Sequence, residues 1–343
     1  MKSDYRVISD ISEIDRQAWS EFVLRHPQGN IFQTPEIFDI SDSSPRSIPL
    51  GVFCLQDDKI KGLGVVLILR EYRGPAGRLT SRAVVTGGPL TVGNDPEITE
   101  LILENLNKLV SGQAIYLEVR NLYDVSALHD RFLKYGYEYQ QHLNILVNLK
   151  LKIDILSGNL HPTRRKQIER SKRRGVTVRI SEAPEEYVID SCYAILSGVY
   201  KKAGLPLPGP EYFSEAFKVL SGNKMIAVFL AELDSEIIGF RYVLCFNKVL
   251  YDWYAGSSDR YLDKYPNDIL PWEVMMWGIG HDYELFDFGG AGRPDEHYGV
   301  RDFKMKFGGT LVNYGRYRVV YKRLIYTIAS SMFSFYRRLK YKR

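Results

Sequence analysis

Residues 284–307 read ELFDFGGAGRPDEHYGVRDFKMKF, which is an apolar strand, a glycine-rich bend and a short cationic helix in succession. In the last segment, Phe303 and Phe307 are four residues apart and share one helical face, which Lys304 and Lys306 flank. An apolar strand that leads through such a bend into a cationic helix is typical of the ligand-binding edge of α/β proteins. The alternative is a surface loop with a solvated lysine pair, and the rest of the chain is needed to decide.

The same succession of predicted elements occurs twice. Each occurrence has a β-hairpin, a third strand, a long helix and a further strand. The first comprises residues 48–55, 60–69, 84–90, 96–110 and 114–119, and the second comprises residues 225–233, 236–246, 249–256, 266–280 and 284–288. The two occurrences are too far apart in the sequence for the repeats of a solenoid. They predict an α/β fold with mixed α+β sheets in two similar tandem domains. We place these domains at residues 1–150 and 151–320, followed by a tail at 321–343.

The positive charge of the chain is concentrated near its C-terminus. The formal net charge is +5, and residues 316–343 carry nine Lys/Arg and no Asp/Glu, which leaves 37 basic and 41 acidic residues elsewhere. A chain-wide nucleic-acid surface is therefore disfavoured. The three cysteines lie far apart in apolar runs, so we expect neither disulfides nor a metal site. Without a signal-like N-terminus or a run of ~20 apolar residues, we expect a cytoplasmic protein.

A second basic cluster is predicted to form a helix. It begins near Pro162 and ends at Gly175, and it carries seven Lys/Arg in the eleven residues from Arg164 to Arg174. One interpretation is a solvated helix whose last cations complement the helix dipole. The other is an anion surface for phosphate, pyrophosphate or an RNA backbone. We favour the anion surface, because so many like charges repel one another without a partner.

The tail places apolar residues at helical spacing between clusters of Lys and Arg. Its apolar part is too short to span a bilayer, but the pattern suits a helix that lies on an anionic membrane surface, peripheral on the inner face. A C-terminal helix docked on the body, with a frayed basic end, fits the pattern equally well.

Several segments resemble one family. They are the helix at 163–175, residues 254–257 with 266–273, residues 286–290 with 303–309, and residues 29–36. Together they resemble the FemAB/FemX-like branch of the GNAT acyltransferase superfamily, with a BioF2-like acetyltransferase domain. The resemblance covers almost the whole chain to about Tyr321 and implies tandem GNAT-like domains, in agreement with the internal duplication.

The resemblance implies an enzyme. Such acyltransferases move an acyl or aminoacyl group from an acyl-CoA or an aminoacyl-tRNA to an amine of a cell-envelope glycan or peptidoglycan precursor, and they need no bound cofactor. Envelope glycans, lipid-linked precursors, tRNA and an anionic membrane surface are the expected partners. The alternative is a non-catalytic basic adaptor that uses a GNAT scaffold to bind RNA or membrane.

The resemblance also implies roles for particular residues. Lys304 matches the lysine with which these enzymes steady negative charge in the transition state, and the other candidates lie at strand ends or among the cations. The candidate catalytic residues are Lys304, Asp287 and Tyr254. The candidate substrate-binding residues are Arg164, Arg165, Arg174, Asp252, Phe303 and Lys306. Two family features are missing: a lysine soon after Pro35, which some members use to hold a muropeptide precursor, and a pyrophosphate loop before Pro266.

Overall fold

The structure is a computed structural model that describes residues 5–70 and 80–340, with side chains described to residue 331. The chain divides into two compact units. Unit 1 comprises Met1–Gln140 and Tyr314–Arg343, and unit 2 comprises Gln141–Asn313. Each unit contains one mixed β-sheet with α-helices packed against it.

Unit 1 has an eight-stranded sheet. Its strands are β1 (Arg6–Ile8), β2 (Ser47–Gln56), β3 (Lys59–Leu69), β4 (Arg82–Thr86), β5 (Leu90–Thr91), β6 (Tyr116–Arg120), β7 (Glu138–Gln140) and, from the end of the chain, β15 (Arg316–Val320). Its helices are α1 (Arg16–Arg25), α2 (Pro35–Asp42), α3 (Pro96–Val110), α4 (His129–Lys134) and, again from the end of the chain, α11 (Arg323–Lys340).

Unit 2 has a seven-stranded sheet. Its strands are β8 (Asn144–Asn148), β9 (Thr177–Ser181), β10 (Ile226–Leu233), β11 (Glu236–Phe246), β12 (Val249–Ser257), β13 (Leu285–Gly290) and β14 (Thr310–Val312). Its helices are α5 (Ile153–Asn159), α6 (Pro162–Arg173), α7 (Glu186–Ala203), α8 (Pro210–Leu220), α9 (Pro266–Gly280) and α10 (Gly299–Met305).

The two sheets have the same strand order. The order is β1-β2-β3-β4-β6-β15-β7 in unit 1 and β9-β10-β11-β12-β13-β8-β14 in unit 2. In each sheet the strand after the long helix pairs in parallel with a strand that precedes the helix, β6 with β4 and β13 with β12. The succession that the sequence repeats is therefore one supersecondary unit built twice, and both long helices have the predicted bounds.

The structure corrects the predicted domain boundaries. Strand β8 lies within the predicted first domain, but it pairs with β13 and β14 in unit 2. Strand β15 lies within the predicted second domain, but it pairs with β6 and β7 in unit 1, and α11 follows it there. Each sheet thus takes one strand from the other half of the sequence, which satisfies the backbone hydrogen bonds of β6 and β13 on their second edge.

Each sheet buries one face under its long helix. In unit 1, Ile98, Ile102 and Leu106 of α3 pack on inward residues of the sheet such as Leu117 and Val119. In unit 2 the corresponding core of α9 and the sheet contains Phe286 and Phe288, which lie on either side of Asp287 in β13. Because side chains alternate along a strand, Asp287 must point to the other face of the sheet.

Candidate active site

The end of β13 is where α10 places Lys304. The ammonium group of Lys304 donates a hydrogen bond to the carbonyl oxygen of Phe288 and a second, 3.2 Å long, to that of Gly290. Between these two carbonyls lies Gly289, which has φ +75°, and a Cβ built on it would lie 3.7 Å from Lys304 Nζ. The left-handed backbone at this position is what favours a glycine, and the lysine ammonium packs beside it at van der Waals distance.

The glycine-rich bend that follows β13 is fixed by the helix that carries Lys304. Arg301, in α10, donates hydrogen bonds from its guanidinium to the carbonyl oxygens of Ala291 (3.4 Å), Arg293 (2.6 Å) and Glu296. Because a guanidinium binds several acceptors in one plane, this side chain holds the bend in a single conformation. Arg301 was not among the residues predicted from the sequence.

The aromatic ring of Phe288 lies close to both cations of the site. The ring centroid of Phe288 is 5.4 Å from Lys304 Nζ and 5.3 Å from the guanidinium carbon of Arg241. Phe288 also packs against Phe307 with ring centroids 5.5 Å apart, and Phe307 contacts Phe303 at 5.4 Å. Phe303, a predicted substrate-binding residue, therefore belongs to the aromatic packing behind Lys304.

Asp252, another predicted substrate-binding residue, pairs with Arg241 of the adjacent strand. The two side chains are 10% and 5% exposed, and their charged atoms form an ion pair. Next to Asp252 the pairing of β11 with β12 contains a bulge, because Tyr242 faces Tyr254 and Val243 faces Asp252. The bulge bends β12 beside the pair, as bulges near functional sites commonly do. Arg241 was missed because an arginine within an apolar strand carries no signal of its partner.

Asp287 is the buried carboxyl group of the site. It is 5% exposed, and its Oδ1 accepts a hydrogen bond of 2.8 Å from the backbone N–H of Gly289. Burial raises the pKa of Asp287 to about 6, and the negative charge of Asp252 adds to the increase. The Gly289 N–H and Lys304 act in the opposite direction without cancelling it. Asp287 can therefore exchange a proton near neutral pH.

Burial also lowers the pKa of the Lys304 ammonium, and nearby Arg241 lowers it further. The carboxylates of Asp252 and Asp287 oppose this change, because each favours a cation beside it. Lys304, Arg241, Asp252 and Asp287 are thus an electrostatically coupled set of two cations and two acids.

Tyr254, a predicted catalytic residue, belongs to an aromatic cluster. Its ring lies 4.9 Å from those of Phe213 and Trp253 and 6.0 Å from that of Tyr200. Burial raises the pKa of the Tyr254 hydroxyl well above its ordinary value, so this group stays protonated at neutral pH. The helices α7 and α8, which supply Tyr200 and Phe213, were not predicted in full from the sequence.

The predicted anion-binding arginines of α6 are engaged in contacts within unit 2. Arg164 is 9% exposed, forms an ion pair with Asp268 of α9, and lies 4.3 Å from the ring centroid of Phe303. Arg174 binds the backbone and side chain of Asp263. Arg164 therefore contributes to packing under α10, and the expectation that it forms part of an exposed anion surface is corrected.

Other cations of α6 face solvent. Arg165 is exposed and donates a 2.8 Å hydrogen bond to the carbonyl oxygen of Ser157. Lys166, Arg170 and Arg173 are exposed and lie four and three residues apart, so they share one face of the helix. In the described part of the chain, none of these three side chains has an ion-pair or hydrogen-bond partner. We call this set the outer face of α6.

Lys306, also predicted to bind substrate, follows α10 and is half-buried. Its backbone carbonyl oxygen accepts a 2.9 Å hydrogen bond from the N–H of His161, just before α6. This contact ties the start of α6 to the end of α10. The backbone of Lys306 thus contacts the start of α6, whereas the side chain of Lys304 contacts the end of β13.

Comparisons with known proteins find matches to the segment that carries this site and to the fold. Residues 162–305 match the family described as acetyltransferase (GNAT) domain, a segment that includes both α6 and Lys304. A segment of 62 residues is 39% identical to the lipid II:glycine glycyltransferase of Staphylococcus haemolyticus, and it covers 17% of this chain and only 15% of that enzyme.

Two solved structures share the fold over nearly the whole chain. The structure of FemX matches with a TM-score of 0.72 and 14% sequence identity, over 94% of this chain and 99% of that one. A tandem GNAT protein from the clavulanic acid biosynthesis pathway matches with a TM-score of 0.56 and 9% identity, over 93% and 99%.

Residues 162–305 therefore match a GNAT acetyltransferase domain, and the solved structures confirm the predicted tandem fold. Within that class, the glycyltransferase and FemX matches support the FemAB/FemX-like branch that the sequence motifs resemble. The alternative of a non-catalytic adaptor is not favoured, since the matched family is described as an acetyltransferase domain and the matched relative is named a glycyltransferase.

Proposed function

We propose that this protein transfers an acyl or aminoacyl group from an activated donor to an amino group of a cell-envelope glycan or peptidoglycan precursor. Lys304 is the residue on which the proposal depends. Its ammonium group is fixed at the end of β13 by two backbone carbonyl oxygens, which occupy two of its three N–H groups. The third N–H can stabilise the oxyanion that forms when an amine attacks an ester or thioester carbonyl.

Asp287 is proposed to accept the proton of the attacking amine. In the transfer, the new C–N bond replaces the C–O bond of an aminoacyl ester or the C–S bond of a thioester. The amine loses one proton and the leaving oxygen or sulfur gains one, so a group that both accepts and returns a proton suits the reaction. The pKa of Asp287, raised by burial to about 6, matches this requirement near neutral pH.

For the donor, we propose an aminoacyl-tRNA or an acyl-CoA, both of which carry phosphates and neither of which is a bound cofactor. The outer face of α6 supports this proposal. Lys166, Arg170 and Arg173 place three exposed cations over about two helical turns, a spacing suited to the phosphates of an extended ligand. A steep decrease of binding with salt concentration would distinguish a polynucleotide donor from acyl-CoA.

For the acceptor, we propose an amine on a lipid-linked or other envelope precursor, at the inner face of the membrane. The matched relative is named for glycine transfer to lipid II, and the short segment it shares with this chain supports an acceptor of that general kind. The absence of a lysine in residues 36–42 argues against a nucleotide-linked muropeptide.

The test is a transfer assay with purified protein, a set of charged tRNAs and a set of acyl-CoAs, each offered with amine-bearing envelope precursors. Mass spectrometry identifies the donor consumed and the product formed. We expect Lys304→Met to lower kcat at least about 100-fold, because one oxyanion donor is lost. The matched control is Lys218→Met, which removes a lysine with a 74% exposed side chain in the same unit.

Circular dichroism and the Tm of Lys304→Met establish that the variant is folded. Normal turnover in folded Lys304→Met would refute the role of Lys304. No consumption of any donor by the wild-type protein, in the presence of the full acceptor set, would refute the proposed activity.

A further inference from the structure

Helix α11 is attached to unit 1 by one side of its first two turns. The ring of Tyr326 packs edge-on against that of Tyr116, with centroids 5.6 Å apart. The Tyr326 hydroxyl accepts a 2.5 Å hydrogen bond from the guanidinium of Arg318 in β15. Ile325, the neighbouring apolar residue, is half-buried. The start of the helix is therefore held in a defined orientation on the sheet.

The same two turns expose apolar side chains on another side. Leu324 is 82% exposed and Ile328 is 62% exposed, and they lie four residues apart on one helical face. Burial of an aliphatic side chain of this size is favourable by roughly 1.5–3 kcal/mol, and this free energy is not gained while the side chain stays in water. The sequence continues with Met332, Phe335 and Leu339 at the same three- to four-residue spacing, whereas Thr327, Ser330 and Ser331 are polar.

The charge around this apolar face has one sign. Residues 322–343 carry seven Lys/Arg and no Asp/Glu, whereas Arg316 and Arg318 of β15 are paired with Glu118. The cations are therefore segregated into the segment that exposes the apolar face. An apolar stripe bordered by cations, in a helix of 18 residues, is the pattern of a helix that lies in the interface of an anionic bilayer.

Two other occupants of this face are less compatible with these observations. No helix in residues 5–70 and 80–340 is long and apolar enough to cross a bilayer. A second copy of the chain could cover Leu324 and Ile328, but it would also bring together two sets of the seven cations of residues 322–343, a segment without an acidic residue. An anionic lipid surface accommodates both, because the acyl region takes up the apolar side chains and the headgroups bind the cations.

We propose that α11 binds the surface of an anionic membrane, with Leu324 and Ile328 inserted at the headgroup boundary and the surrounding Lys and Arg on the headgroups. The attachment through Tyr326 makes this a fixed docking helix of unit 1, which holds the protein at the lipid surface. Binding of this kind does not depend on acyl transfer, and Lys304→Met should bind vesicles as the wild-type protein does.

The test is co-sedimentation of the full chain with phosphatidylcholine vesicles, with and without about one-third phosphatidylglycerol, at two salt concentrations. We expect binding only to the anionic vesicles, weakened by salt, and reduced about tenfold or more in Leu324→Ser/Ile328→Ser. The matched control is Leu24→Ser/Leu133→Ser, which removes two leucines that are 55% and 46% exposed on other helices of unit 1.

Equal binding of the two double variants, or equal binding to neutral and anionic vesicles, would overturn the proposal. Light scattering of the wild-type protein without lipid gives the second decisive result. If the protein is a dimer that Leu324→Ser/Ile328→Ser converts to a monomer, and vesicles are not bound, then the occupant of the face is another copy of the chain.

Discussion

Strands β6 and β13 occupy the same place in two sheets of the same order, and each carries a buried acid as its third residue. Glu118 in β6 is 1% exposed and Asp287 in β13 is 5% exposed. The cross-strand neighbour of Glu118 in β15 is Arg318, whereas that of Asp287 in β8 is Leu146. The two acids thus share a position in the fold and differ in their neighbours.

Because their neighbours differ, the pKa values of the two acids are shifted in opposite directions. Burial alone would raise the pKa of Glu118, but Arg120, Arg316 and Arg318 overcome it and hold the value at about 2. For Asp287, burial prevails and the pKa rises to about 6. Burial of an acid at this position is therefore a property of the fold. The number of cations beside it decides whether the acid is a fixed carboxylate or a group that can exchange protons.

The residue two positions after each acid differs between the two strands, and so does the source of the nearby cation. Two residues after Glu118 is Arg120, whose side chain pairs with it, and two residues after Asp287 is Gly289. Without a side chain at Gly289, the ammonium group of Lys304 takes the position at the end of the strand. Where unit 1 has three arginines paired with its acid, unit 2 has one lysine that keeps an N–H available.

The largest effect is expected when the acid of unit 2 is neutralised. Asp287→Asn should lower kcat/KM about 100-fold, because it removes the proton acceptor. The wild-type rate should fall as the pH decreases below about 6, and the residual rate of the variant should lack that dependence. Rates measured between pH 5 and pH 8, with Asp190→Asn as an exposed control, test this. If the rate of the variant still falls with decreasing pH in the same way (the same acid limb of the pH–rate profile), then a group other than Asp287 causes this dependence.

The stability of Asp287→Asn should change in the opposite sense to its activity. Because the folded pKa of about 6 exceeds the unfolded value of 3.8, the wild-type protein loses up to about 3 kcal/mol as the pH rises through this window. Asparagine carries no such penalty, so the variant should be at least as stable as the wild type at pH 8. A large decrease in its unfolding free energy at pH 8 would contradict this assignment.

The corresponding change in unit 1 should mainly affect stability. Glu118→Gln leaves three arginines without their shared carboxylate and should cost about 3 kcal/mol of unfolding free energy at pH 7. Because the folded pKa of about 2 lies below the unfolded value of 4.5, this contribution is complete above pH 4.5 and is lost as the pH falls towards 2.

Urea unfolding of Glu118→Gln and wild-type protein between pH 3 and pH 7 measures this difference. Glu104→Gln, which removes an exposed ion pair with Lys108, is the matched control and should cost less than about 1 kcal/mol. Equal losses in the two variants at pH 7 would mean that the arginine cluster does not depend on Glu118.

Much of this comparison could be predicted from the sequence. The repeated hairpin, strand, helix and strand predicted two similar units, because long apolar patterns with proline helix starts are strong local signals. Lys304 and Asp287 followed from the strand, the glycine-rich bend and the family resemblance. These residues lie within 18 positions of one another, so local sequence was sufficient to group them.

The rest depends on long-range pairing that local patterns do not encode. Strands β8 and β15 are five residues each, and nothing in their sequences specifies which sheet they join. The same limit concealed the ion pair of Arg241 with Asp252 and the burial of Arg164 against Asp268. In an exposed-looking basic helix, only the tertiary partner distinguishes a packed arginine from a solvated one.

The strand exchange makes the comparison testable with one substitution. Leu146→Arg would give Asp287 the cross-strand cation that Arg318 provides to Glu118, since both pairs are directly opposite in antiparallel strands. An opposite charge at this separation should lower the pKa of Asp287 by about one to two units. The acid limb of the pH–rate profile should then move from near pH 6 to a lower pH.

Two controls separate charge from packing. Leu146→Met keeps an apolar side chain at the position and should leave the acid limb near pH 6. Leu311→Arg adds the same charge at a residue that is 40% exposed on the adjoining strand β14, where its partner is Ile145 on the alternate face of the sheet. If Leu146→Arg is folded and its acid limb does not move, then the number of neighbouring cations does not explain the difference between the pKa values of the two acids.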